Sequence, residues 1–167
     1  MLADSSLIND EFMSNEELML AAIDAAIENV HKGGGPFGAV IAKGGEIISV
    51  GVNRVTPNND PTAHAEVCAI RTACLKLGTF NLSGCEIFTS CEPCPMCLGA
   101  IYWARLDKIY YGCNKIDAAV AGFDDSFIYK EFELEKAHRS KKMVELLPVD
   151  AMRAFDAWRK NETRVEY

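Results

Sequence analysis

Two short segments constrain this chain more than anything else in it: His64-Ala65-Glu66 and Pro93-Cys94-Pro95-Met96-Cys97. Each falls where a helix is predicted to begin, so the fold has to let two helix starts serve one site. Cys94 and Cys97 stand three residues apart, on one face of one helical turn. At a helix N-terminus the dipole is positive and backbone N–H groups are unpaired, which lowers thiol pKa values and favours thiolates. Two thiolates and the neutral imidazole of His64 give Zn2+ three protein ligands and cancel its charge. Three ligands leave the fourth tetrahedral position to water, the pattern of a catalytic rather than a structural site. Zinc lowers the pKa of that water towards about 7. Glu66, close behind His64, can take the water's proton and hand it to a departing group.

Either segment alone is a weak signal. A lone histidine is usually structural, and a lone C-x-x-C also serves redox chemistry. Together and in this order they form the H-x-E…P-C-x-x-C pattern of zinc nucleobase deaminases. Cys91 extends the run to C-x-x-C-x-x-C, but an iron–sulfur motif wants a further cysteine followed by proline. Position 101 is Ile101, and no cysteine follows until Cys113. Two readings of Cys91 stay open. As a fourth protein ligand it would close the site and make the chain a zinc-stabilised interaction module. As a neighbouring non-ligand, which its place before Glu92-Pro93 at a strand end favours, it leaves the site open for catalysis.

Around these segments the pattern alternates between strands and helices. Ser14-x-x-Glu17 has the form of a capping box and opens a helix. The apolar stripe of that helix reads Leu20, Ile23, Ile27 and Val30, and Gly33 ends it. Residues 37–42 and 47–52 read as a hairpin joined at Gly44-Gly45, and residues 53–61 as a polar loop. A helix is predicted from about His64 to Leu77, stopped by Gly78, and another from Cys94 to Arg105 with Pro95 in its first turn. Residues 87–90, 108–112 and 143–147 read as strands, and 116–121 and 149–160 as helices. Such alternation predicts an α/β protein, its sheet mixed or mostly parallel with helices on both faces.

A chain of 167 residues, with 49% apolar and 25% charged residues and no internal repeat or linker, is the size of one compact domain. The polar start, residues 1–9, is expected to be disordered. It carries no basic cluster and does not read as a signal peptide, and no apolar run is long enough to cross a bilayer, so a cytoplasmic protein is expected. A net charge of −7 argues against a nucleic-acid partner, whose phosphates reward the opposite balance, and favours a small substrate. Seven cysteines without an export signal point to metal or redox work rather than disulfides. Cys68, Cys74 and Cys85 lie in apolar segments and read as small core residues. His31 and His138 read as surface residues.

Beyond the metal pattern, longer stretches resemble the cytidine and nucleobase deaminase superfamily, and within it the bacterial guanine deaminases. These are GGPFGAVI (34–41), NDPTAHAEVCAIR (59–71), SCEPCPMCLGAIYWAR (90–105), AGFDDSFIYKE (121–131) and the ending FDAWR…EY (155–167). The zinc pattern is shared across the superfamily; AGFDDSFIYKE and the aromatic ending select the branch. The N-terminal extension and residues 132–143 match nothing in that pattern.

The resemblance implies a three-layer α-β-α fold with a mixed central sheet of about five strands. It implies one Zn2+ per subunit and a homodimer in which about residues 143–167 are swapped between subunits. The implied reaction is hydrolysis of guanine to xanthine and ammonia, with Glu66 moving protons and Asp125 as a second proton carrier that also recognises the ring edge. It further implies that Phe37 stacks on the purine and that Asn53 hydrogen-bonds it. Ala65 and Trp103 would line the pocket, and Tyr167 would close it.

On their own these residues have plainer readings. Phe37 begins an apolar strand and reads as core, Asn53 as a turn residue, Trp103 as a packing residue, Asp124-Asp125 as a solvated pair, and Tyr167 as a frayed terminus. A guanosine deaminase and a tRNA adenosine deaminase are the alternatives within the same chemistry.

Overall fold

The computed structural model describes residues 12–167; the polar start at 1–9 lies outside the described residues. Ser14 caps α1 (Asn15–His31) as its spacing predicts. Its hydroxyl accepts from Glu17 N at 3.2 Å while the Glu17 carboxylate accepts from Ser14 N at 2.7 Å.

The face that α1 turns to the sheet is not the expected stripe. Leu18, Ala22, Ala26 and Asn29 are buried, whereas Leu20, Ile27 and Val30 are exposed and Ile23 is half-buried. The reason is distance. A Cβ on Gly38 would overlap the Ala22 carbonyl oxygen. Helix and sheet therefore nearly touch, and only small side chains fit between them. Hydropathy picks out the large aliphatics, but close packing turns them outward.

β1 (Gly38–Lys43) and β2 (Glu46–Val52) form the expected hairpin, with Gly44 and Gly45 at positive φ in the turn. β3 (Glu86–Cys91) and β4 (Lys108–Cys113) complete a sheet in the order β2-β1-β3-β4. β1 runs antiparallel to β2 and β3, and β3 runs parallel to β4, so the sheet is mixed. The period of two divides β1 between two cores. Ala39 and Ile41 pack with Ala65, Ala69 and Ala73 of α3 (Ala65–Leu77) and Ile101 of α4 (Pro95–Ala104). Val40 and Ala42 pack with Leu18, Ala22 and Phe88 on the α1 side. Helix, sheet and helices thus form the three layers expected. Cys85 lies in the first core, Cys74 packs against it, and Cys68 is half-buried.

The sheet has four strands among the described residues rather than about five. Residues 143–147, read as the fifth, join no ladder; the segment ends at Leu147 with φ 52, where the chain swings into Pro148 and α7 (Pro148–Lys160). A strand exists through its neighbour's hydrogen bonds, which an apolar run cannot supply alone. The loop after β2 holds a short helix, α2 (Val55–Asn58), that the sequence pattern does not announce. α5 (Lys115–Val120) matches its prediction, with Asn114 and Asp117 forming its capping box.

The chain divides into two units, the first ending at Phe123 and the second running Asp124–Tyr167. The second unit contains an unannounced helix, α6 (Ser126–Glu133), a short 3-10 helix at Lys136–His138, and α7. His31 and His138 are exposed, as expected. No described helix is long and apolar enough to cross a membrane.

Candidate active site

His64 is the N-cap of α3 and Cys94 the N-cap of α4, with Pro95 starting the second helix. The turn before α3 is built locally. Asp60 Oδ1 accepts from Thr62 N at 2.9 Å and from its hydroxyl at 2.7 Å, and His64 N donates to the Thr62 carbonyl at 2.8 Å. Neither helix start is capped by a side chain, so its free N–H groups and dipole act on the residues there.

His64 Nδ1 lies 3.6 Å from Cys94 Sγ and 3.5 Å from Cys97 Sγ, and the three donor atoms lie within 4.8 Å of one another. A tetrahedral site with zinc–nitrogen bonds of about 2.05 Å and zinc–sulfur bonds of about 2.3 Å has a nitrogen–sulfur edge of about 3.6 Å. The donor set therefore fits Zn2+ in kind and in spacing. Cys97 is fully buried and His64 half-buried. A hydrogen bond from Cys97, followed by one from His64, draws the Cys94 thiol down to about 4. Its hydrogen bond to Cys94 pushes the Cys97 thiol upward, and the hydrogen bond to Cys94 also raises His64. The three groups share protons that a divalent cation displaces.

Glu66, in the first turn of α3, is only 8% exposed. Burial pushes its carboxyl up, and a Cys97 hydrogen bond and the His64 charge partly offset this. Cys91 stands apart from the donor group. Its thiol lies 3.7 Å from the Asn114 carbonyl oxygen, and burial raises it to about 11.

Residues 13–113 match the cytidine and deoxycytidylate deaminase zinc-binding region. The chain belongs to this deaminase family. It is 51% identical to the guanine deaminase of Bacillus subtilis (strain 168) over 156 residues, which cover 93% of this chain and all of that protein. A crystal structure of guanine deaminase from Bacillus subtilis superposes with a TM-score of 0.90 at 51% identity, covering 93% of this chain and 99% of that one. The tRNA-specific adenosine deaminase of Aquifex aeolicus (strain VF5) is 43% identical over 99 residues, 59% of this chain and 66% of that protein.

The deaminase's first unit brings several further predicted residues together. Ala65 is buried at the start of α3. Asn53 follows β2 and is buried; its N–H donates to the Phe37 carbonyl at 3.1 Å. Its side-chain oxygen accepts from Val55 N at 3.2 Å, as the turn reading expects, while its amide nitrogen has no protein partner among the described residues. Phe37 is half-buried against the first core and meets Phe123 edge-on at 4.9 Å, so the core reading holds in part.

Trp103 is exposed and lies nine residues along α4 from Cys94, about 13 Å along the axis, away from the donor group. Asp125 and Tyr167 belong to the second unit. There Asp125 is the N-cap of α6, and Tyr167 meets Trp158 edge-on at 6.4 Å. Asn29 and Phe123 are contacts that sequence reasoning missed. The one signal for Asn29 is an amide on a helix face otherwise lined by Leu18, Ala22 and Ala26.

Proposed function

We infer that this protein is a zinc-dependent aminohydrolase that converts guanine and water to xanthine and ammonia. The observation that carries the reading is that likeness to a guanine deaminase runs over all of that relative, well beyond the zinc region that tRNA deaminases share. His64, Cys94 and Cys97 hold the ion, and Glu66 is the proton carrier. Bound Zn2+ supplies the Lewis acidity that makes water a nucleophile at neutral pH.

The chain's own groups do the rest. The carboxyl of Glu66, raised by burial, is suited to accept a proton from water and release it to the leaving amine. As the new C2–O bond forms, the C2–N bond breaks, and ammonia departs with that proton. The spare amide hydrogens of Asn53 are donors for the purine, and the half-buried face of Phe37 offers a flat apolar surface. Trp103 lines the pocket, Asp125 recognises the ring edge, and Tyr167 closes the pocket in a homodimer that exchanges about residues 143–167. The protein acts in the cytoplasm. A net charge of −7 disfavours a tRNA substrate.

An ammonia-release screen across guanine, guanosine, adenine, cytosine and a tRNA anticodon hairpin tests the reading. Turnover of free guanine is expected. Efficient turnover of another substrate with none of guanine overturns it.

A further inference from the structure

Asn29 is the one polar residue among those that α1 buries, and it is 2% exposed. Its Nδ2 donates to the Gly35 carbonyl at 2.8 Å and to the Asn53 carbonyl at 2.8 Å. These bonds use both amide hydrogens. Two facing carbonyl oxygens also determine which end of the carboxamide carries the nitrogen. The backbone carbonyl of Asn29 receives the Gly34 N–H at 2.9 Å.

The neighbouring glycines are shaped to this clamp. A Cβ on Gly34 would run into the Asn29 carboxamide, and one on Gly35 would stand 3.0 Å from Asn53 Oδ1. Neither glycine has a positive φ, so space rather than backbone freedom calls for glycine here.

Both clamped carbonyls belong to segments of the candidate site. The Gly35 carbonyl also accepts from Phe37 N at 2.9 Å, and Asn53 N donates to the Phe37 carbonyl at 3.1 Å. Arg54 N donates to the Ala63 carbonyl at 2.8 Å, one residue before His64. We propose that Asn29 is a positioning residue for purine recognition, holding the Gly35 and Asn53 backbones at one point and so setting Phe37 and the Asn53 carboxamide beside the metal ligands. This rests on the reading that Phe37 and Asn53 hold the base.

Asn29→Asp keeps the size of the side chain and turns an oxygen towards two carbonyl oxygens. In the zinc-loaded protein, the KM for guanine is expected to rise about tenfold or more with kcat nearly unchanged and zinc content equal to wild type. Amide exchange is expected to quicken at residues 34–37 and 53–55 and to stay the same in β3. Combined with Asn53→Ala, the effect on KM should fall short of the product of the two single effects. Asn29→Ser, which keeps one donor on a shorter arm, gives the same readouts at smaller size should the aspartate variant fail to fold.

Unchanged KM in a folded variant, fully multiplicative effects, or exchange that quickens everywhere would overturn the proposal. A wild-type protein that ignores guanine sinks the functional reading instead. Exchange at the two clamped segments then decides the role of Asn29.

Discussion

Gly51 lies against the start of the site helix: a Cβ there would overlap the Ala65 carbonyl oxygen and the Ala69 backbone nitrogen. This approach seats α3 directly on β2, with His64 and Glu66 at the near end of the helix. Gly51→Ala therefore has to push the helix off the sheet. A loss of about 2–3 kcal/mol is expected, with weaker zinc retention, read by thermal unfolding and metal titration. An unchanged melting temperature would show that the helix yields freely.

Glu66→Gln keeps the shape of the buried side chain but removes its proton. Zinc content should stay at one ion per chain while kcat falls at least about a hundredfold. Metal analysis alongside steady-state kinetics separates this from loss of the ion. Residual activity near wild type would remove Glu66 from the proton path.

Chelation should abolish activity and lower thermal stability, because the three donors then revert to sharing protons among themselves. Adding Zn2+ back should restore both. Acid should speed release, since protons compete for the same donor atoms. Calorimetry of chelated and reloaded protein checks the stability change.

Cys91 decides between an open and a closed metal site. Its thiol faces the Asn114 carbonyl oxygen and is not part of the donor group, so Cys91→Ser should leave zinc content and coordination by two sulfurs unchanged. X-ray absorption at the zinc edge reads the sulfur count. Three sulfurs in the wild type falling to two in the variant, or loss of the ion, would make Cys91 a ligand and return the interaction-module reading to contention.

Ser14 and Glu17 satisfy one another's backbone N–H groups at the start of α1. Ser14→Ala should cost about 1 kcal/mol of stability, measured by denaturant unfolding, with activity kept. The helix would remain, since Leu18, Ala22 and Ala26 still pack on the sheet.

Local rules made much of this protein readable from the order of its residues. Three-residue spacing places Cys94 and Cys97 on one helical turn, and Pro95, Gly78 and the Ser14 box mark helix ends through contacts within a few positions. The two-cysteine turn, the hairpin and the alternation of strands and helices follow from such short-range chemistry, whereas His64 meets the two thiols only across 30 and 33 residues.

Contacts between distant residues had to be seen. Gly38 pressing on Ala22 decides which side of α1 is buried, and Asn29 reaches an Asn53 carbonyl 24 residues away. The Cys91 thiol finds Asn114 beyond the end of the parallel strands, and among the described residues no strand pairs with residues 143–147. Hydropathy and spacing report what a residue prefers along its own segment. Which backbone comes close enough to exclude a side chain, or to accept its hydrogen bond, is settled only when remote segments pack at van der Waals distance.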